Sequence, residues 1–178
     1  MVELKHLTRI DVKTWDANRI QWIWEHLQTQ EYMFDDLTKG DPKFFLSMLF
    51  FPNTEHYEYG DDGYVLVNNI RPKIDAAIHY AIWDRTVPLR RTLEAGRSLL
   101  RYLFQTYDLH RVTGMIPSYH KPAIRMITLN GFRYEGSLRQ GHLVNGKFYD
   151  IMIYGLLQPE FQKLEETWVS SPPLSLLQ

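Results

Sequence analysis

The chain has 178 residues, 44% hydrophobic and 23% charged, with a formal net charge of -1 and no cysteine. That balance suits one globular domain with a real core and excludes a disordered chain. It also excludes disulfides, thiolate metal sites and a cysteine nucleophile, and offers no global attraction to nucleic acid.

The N-terminal Met-Val-Glu-Leu-Lys-His lacks the apolar core of a signal peptide, and no apolar run is long enough to span a bilayer. A cytoplasmic protein without a membrane partner is the expectation. Residues 3–12 read as a first strand. Thr14 or Asp16 then caps a helix whose buried side is Ile20, Ile23, Trp24 and Leu27. Residues 30–39 form a connection with aromatic and acidic character. Asp41-Pro42 opens a second helix carrying Phe44, Phe45, Met48 and Leu49, which Pro52 stops. Two strands, 56–59 and 64–70, flank a hairpin turn at 60–63.

The central stretch is 75–104. An apolar, β-compatible run from Ala76 to Trp83 passes through a short basic turn. From Leu93 the apolar residues fall at Gly96, Leu99, Leu100, Leu103, Phe104 and Tyr107, the period of a helix with one buried face. A strand feeding a helix N-terminus is a phosphate-binding device, because unpaired N–H groups and the helix dipole point outward there. Arg111–Ile116 reads as another strand, and Pro122 fits the first turn of a helix closed by Asn130-Gly131. Strands at 132–139 and 148–157 flank Asn145-Gly146, the strongest hairpin signal in the chain. The domain is expected over 1–157, with 158–178 a tail that has little to pack. This element order predicts a mixed α/β (α+β) fold, mostly antiparallel, with one parallel crossover around the central helix.

Several motifs now fall in succession. They are Ala76-Ala-Ile-His-Tyr-Ala-Ile-Trp83, Glu94-Ala95, Leu109-His-Arg-Val112, Asn130-Gly-Phe132 with Glu135-Gly136, and Asn145-Gly-Lys147 with Asp150 and Gly155-Leu-Leu157. Together they resemble the GNAT superfamily of N-acetyltransferases, in particular its ribosomal-protein N-terminal acetyltransferase-like branch. The resemblance covers residues 75–157 well and 3–70 in element order. It implies an acyl-CoA N-acyltransferase-like sheet with helices on both faces. It also implies acetyl-CoA as cosubstrate, and direct transfer to a primary amine on a protein or small molecule, by a monomer or homodimer.

The resemblance places acetyl-CoA along Ile82, Trp83, Val87, Leu89, Arg90, Arg91 and Thr92, with His120 and Ala123 on the next helix. Where the family has a glycine-bearing loop, this chain has Val87-Pro-Leu-Arg90-Arg91-Thr92. Pro88 removes one backbone donor and Arg90 stands at a glycine position. Arginine forks suit phosphate, so Arg90, Arg91 and Thr92 are expected to grip the pyrophosphate by side chains; a solvated basic turn is the alternative. His120 replaces the family asparagine, and Ile127 stands where a tyrosine is often found.

His79 is the candidate base if it faces the cleft, against a satisfied structural histidine. Tyr119 could relay a proton to the leaving thiolate, or pack as an aromatic. Asp35, Asp36, Glu55 and Glu58 would suit a cationic amine if their loops flank the cleft. No Gly-x-Ser-x-Gly, His-Glu-x-x-His, P-loop or metal spacing occurs. Two further readings stay open: a binding module of the same fold with a degenerate CoA site, and nucleic-acid binding through Arg85, Arg90, Arg91, Arg97 and Arg101, which the net charge disfavours.

Overall fold

The computed structural model describes residues 2–170. Among them are strands β1 (Thr8–Ile10), β2 (Glu55–Glu58), β3 (Gly63–Arg71), β4 (Asp75–Ile82), β5 (Arg111–Pro117), β6 (Arg133–Val144) and β7 (Lys147–Leu157). The helices are α1 (Ala17–Leu27), α2 (Pro42–Leu49), α3 (Leu89–Tyr107), α4 (Lys121–Leu129) and α5 (Gln158–Ser170). The strands form one seven-stranded sheet in the order β1-β2-β3-β4-β5-β7-β6. Only β4 and β5 are parallel neighbours; every other pair is antiparallel.

Side chains alternate across the sheet, so each strand feeds two cores. Val65, Val67, Ala76 and Ile78 face α3 and α4 with Leu99, Leu103 and Val112. Tyr64, Leu66 and Ala81 face α1 and α2, where Ile23, Trp24, Leu27 and Phe45 close over them. Helices therefore cover both faces, as expected.

The expected caps form. Asp16 accepts from the Arg19 amide at 3.0 Å, and Asp41 from the Lys43 amide at 2.9 Å. After α4, Gly131 adopts φ 87°, and the amides of Phe132 and Gly131 donate back to Ile127 and Thr128. This Schellman closure suits glycine because a side chain at that φ is strained. Asn145 and Gly146 both have positive φ, the hairpin geometry that matches strand twist.

Four expectations change. The first strand shrinks to Thr8–Ile10, because its partner β2 offers only Glu58 to His56. Helix α3 starts at Leu89, one turn before Leu93. Its first turn exposes Arg90, so the apolar period is silent there. Strand β6 runs to Val144 through two register shifts that the polar run 139–142 concealed. Finally, the stretch from 158 forms α5 and is not a loose tail. Phe161, 2% exposed, stacks on Phe104 with ring centroids 4.6 Å apart, and Arg101 pairs with Glu165. The expected mobility beyond residue 170 lies outside the described residues.

Candidate active site

The crossover strands β4 and β5 pair from Asp75/Arg111 to Ile78/Gly114 and then part. Beyond that point β4 continues along β3, and β5 along β7. Helix α4 sits hard against β5 at the parting. A Cβ on Gly114 would lie 2.2 Å from Ile127 Cδ1, so a side chain there would have to push the tip of Ile127 aside.

The gap holds a cavity of about 60 Å³. Ile78, Gly114 and Ile127 wall it on the α3/α4 side, and Met33, His79 and Met115 also line it. Tyr80, Asn130, His120 and Ala123 complete much of the rest. In this mostly apolar lining, Tyr80 Oη and Asn130 Oδ1 are buried without hydrogen-bond partners. Asn130 is 2% exposed, and its Nδ2 already donates to the Met126 carbonyl at 3.1 Å. A buried polar atom left unpaired costs roughly 1–3 kcal/mol. The cavity therefore fits a guest with both N–H and C=O groups, as in the amides of a pantetheine arm.

A second cavity, about 190 Å³, lies against α2 on the opposite face from α3. Its apolar lining is Met33, Phe44, Met48, Phe51 and Leu66; Thr54, Asn68 and His79 are its polar members. Met33 and His79 line both cavities.

His79, the residue considered as a base, therefore lies between the two cavities. It is the first β4 residue past the last β4–β5 pair, and its Nε2 lies 3.3 Å from Asn68 Oδ1. With Nε2–H donating to that oxygen, Nδ1 keeps a free lone pair. Desolvation lowers the His79 pKa to about 4, so the ring is neutral at pH 7.

At the cavity mouth, His120 stacks on Tyr32 with ring centroids 3.8 Å apart, and burial lowers its pKa. The Tyr32 hydroxyl donates to the Ile82 carbonyl at 3.3 Å, and burial pushes its pKa up to about 12. Tyr32 and Met33 come from the α1–α2 connection, whose sequence marked only a loop with exposed character. Asn130, read as a helix cap, carries the orphaned acceptor as well.

The corner at the α3 N-terminus is less open than expected. Arg91 donates to Asp62 at 2.5 Å and lies over the Tyr59 ring. Thr92 is 8% exposed and turned inward. Of Arg90, Arg91 and Thr92, only Arg90 is exposed, paired along the helix with Glu94 at 3.0 Å. Helix α3 has no side-chain cap; the Arg91 amide already donates to the Pro88 carbonyl at 2.9 Å, which leaves the amides of Leu89 and Arg90 for an anion. Leu89 and Val87 flank this turn, Val87 packed against the main core. Trp83 does not line the first cavity. Its Nε1 donates to Asp61 O at 2.8 Å, and its ring packs edge-on against Trp22.

Tyr119 is also off the cavity. Its hydroxyl lies 3.3 Å from His142 Nε2 beside Tyr149, and burial pushes its pKa up to about 12. The four acids considered for a cationic amine have structural partners. Asp35 accepts from Thr38, and Asp36 from the amides of Asn145 and Gly146. Glu58 holds Trp15 and Arg19. Glu55, 4% exposed, accepts from Tyr57, Tyr102 and Tyr107 and pairs with Arg9. The arginines on α3 form no free basic stripe: Arg97 lies over Trp168 and Arg101 pairs with Glu165. Among the described residues no cluster could hold a metal ion, and no helix is long and apolar enough to cross a membrane.

No protein-family model matches the chain. It is 31% identical over 64 residues to a prophage-derived uncharacterized N-acetyltransferase, YokL, of Bacillus subtilis; the match covers 36% of each chain. It is 28% identical over 68 residues to an uncharacterized N-acetyltransferase, p20, of Bacillus licheniformis, covering 38% of each. The chain thus spans little more than a third of the curated relatives it matches. A spermidine N-acetyltransferase from Vibrio cholerae, solved with CoA and spermine, superposes with a TM-score of 0.67 at 17% identity, over 88% of this chain and 98% of that one. A ribosomal alpha-N-protein acetyltransferase, RimL, solved with coenzyme A, gives 0.68 at 15%, over 85% and 92%. A GNAT-family acetyltransferase from Bacillus anthracis gives 0.67 at 16%, over 89% and 99%. At these identities the likeness shows the fold, which is that of the GNAT acyltransferases.

Proposed function

We propose that this chain transfers an acetyl group from acetyl-CoA directly to a primary amine on a protein N-terminus or a small molecule. One observation carries the reading. At the parting of β4 and β5, a cavity is lined by Tyr80 and Asn130, whose Oη and Oδ1 are buried without partners, and it shares Met33 and His79 with a second cavity. That arrangement suits two substrates approaching from opposite faces of the sheet. When bound, acetyl-CoA supplies a thioester already activated toward amines, which leaves the protein to position groups and handle a proton.

Asn130 Oδ1 accepts an amide N–H and Tyr80 Oη donates to a carbonyl, orienting the arm. Arg90 and the open first turn of α3 hold the diphosphate; Arg91 keeps its place with Asp62. His79, with its pKa near 4, is too weak a base to strip an ammonium whose pKa is about 8 to 10. It receives a hydrogen bond from an amine that has already lost its ammonium proton; as the N–C bond forms the C–S bond breaks, and the proton the nitrogen then sheds balances the thiolate, which leaves as free thiol. Apolar walls assist, because desolvation favours the neutral amine.

A second reading, a binding module on the same fold, draws support from the engagement of Arg91 and the burial of Thr92. Calorimetry with acetyl-CoA separates the two. The transfer reading expects binding at micromolar concentration, about tenfold weaker in Tyr80→Phe or Asn130→Leu, and thiol release when an amine is added. No binding at millimolar acetyl-CoA overturns it.

A further inference from the structure

We infer that the second cavity selects the acceptor, and that it takes a primary amine carried on an uncharged, benzene-sized apolar group; this rests on the acetyl-transfer reading above. Its volume is the first argument. At about 190 Å³ it exceeds the roughly 150 Å³ of a dry apolar cavity known to admit benzene. Its chemistry is the second. Phe44, Met48, Phe51 and Leu66 supply the walls, and none of the lining residues carries a charge. Thioether and aromatic walls adapt to a flat or irregular apolar guest.

The third argument is what lies around it. The acids that could neutralise a cationic acceptor are committed elsewhere. Asp36 holds the β6–β7 turn, Glu58 holds Arg19, and Glu55 is enclosed by tyrosines and Arg9. A polyamine entering here would leave its extra ammonium groups desolvated and unpaired, a heavy penalty. An arylalkylamine has one amine, which sits at His79 where the two cavities meet, while its ring fills the space under α2. The exposed Phe50 and half-exposed Phe51 extend the apolar surface to the rim.

The test measures thiol release from acetyl-CoA with phenethylamine, ethylamine and spermidine at one pH. Burying the ring is expected to raise kcat/KM for phenethylamine about 30-fold over ethylamine, with spermidine lower still. Spermidine or ethylamine matching phenethylamine overturns the inference and leaves the transfer reading standing. If no amine is acetylated and acetyl-CoA does not bind, the transfer reading falls. Saturation-transfer NMR with phenethylamine alone then still reads the cavity: ring contacts that vanish in Phe51→Glu support it, and no contacts overturn it. Phe51 is half exposed, so substitutions there leave the core intact. Phe51→Ala should reduce turnover of phenethylamine several-fold and spare ethylamine. An equal loss for both overturns the inference.

Discussion

Lowering the pH from 7 toward 4 should destabilise this protein through two histidines that are held neutral. His56, 2% exposed, has its Nδ1 2.5 Å from the Tyr64 hydroxyl, and burial lowers its pKa to about 4. Desolvation does the same for His79. In the unfolded chain both return to about 6.5. The unfolded state therefore binds more protons than the folded state between pH 6.5 and 4, so stability rises with pH in that window. The contribution is fully present above about pH 6.5 and is lost as the pH falls toward 4. Each histidine contributes a slope of up to about 1.4 kcal/mol per pH unit, or about 3 kcal/mol over the window. Together that is about 6 kcal/mol, comparable to the low end of a typical folding free energy of roughly 5–15 kcal/mol. Urea denaturation at several pH values from 5 to 7 reads the slope. His56→Asn and His79→Asn each remove one proton from it, while leaving the carboxylate contributions in place. A His79 ring resonance that titrates near pH 6.5 by NMR would refute the reasoning, and with it the neutral histidine at the site.

Two other substitutions probe what the fold has committed. Glu55→Ala leaves three tyrosine hydroxyls and Arg9 around an empty buried position, and should cost about 3–5 kcal/mol in urea denaturation. Glu55→Gln, which keeps an acceptor, should cost less; equal losses would show that packing alone holds the cluster. At the α3 corner, Arg90→Ala should weaken acetyl-CoA binding about fivefold by calorimetry, with less effect at high salt. Arg91→Ala should lower thermal stability, since it leaves Asp62 without its partner. Equal losses of affinity in the two variants would mean that Arg91 leaves Asp62 to hold the ligand.

The elements were legible where a local signal specifies a local structure. Asp16 and Asp41 name helix starts through side chains that reach an amide two or three residues on. Asn130-Gly131 names a helix end, and Asn145-Gly146 a hairpin. The first turn of α3 was hidden because Arg90 faces water and Pro88 gives no capping side chain. Helix α5 had a signal that was not used, the i, i+3, i+7 spacing of Phe161, Leu164 and Trp168 behind Pro159; what those residues pack on, Phe104 among them, lies elsewhere in the chain. Of the residues expected at the site, His79, His120 and Ala123 line the first cavity because they sit on the splayed strand and at the start of the following helix. Tyr32 and Met33 were missed: nothing in a loop's composition tells where its tip lands. The engagement of Arg91 and Thr92 was not foreseen for the matching reason, since Asp62 and the core that claim them lie elsewhere in the chain.

By itself the sequence determined the period of most strands and of helices α1 to α4, several of the turns between them, and the resemblance carried by residues 75–157. These are short-range matters, set by side-chain alternation, capping and positive φ, and each is written within a few neighbouring residues. Only the tertiary structure decided which polar groups remain unpaired beside the cleft and which are used up in holding the fold. It parts β4 from β5, leaves Asn130 Oδ1 and Tyr80 Oη without partners, and spends Arg91, Asp36 and Glu55 on contacts between elements. Whether a polar atom is satisfied depends on groups brought to it from distant parts of the chain, which is why the packed molecule alone could reveal it.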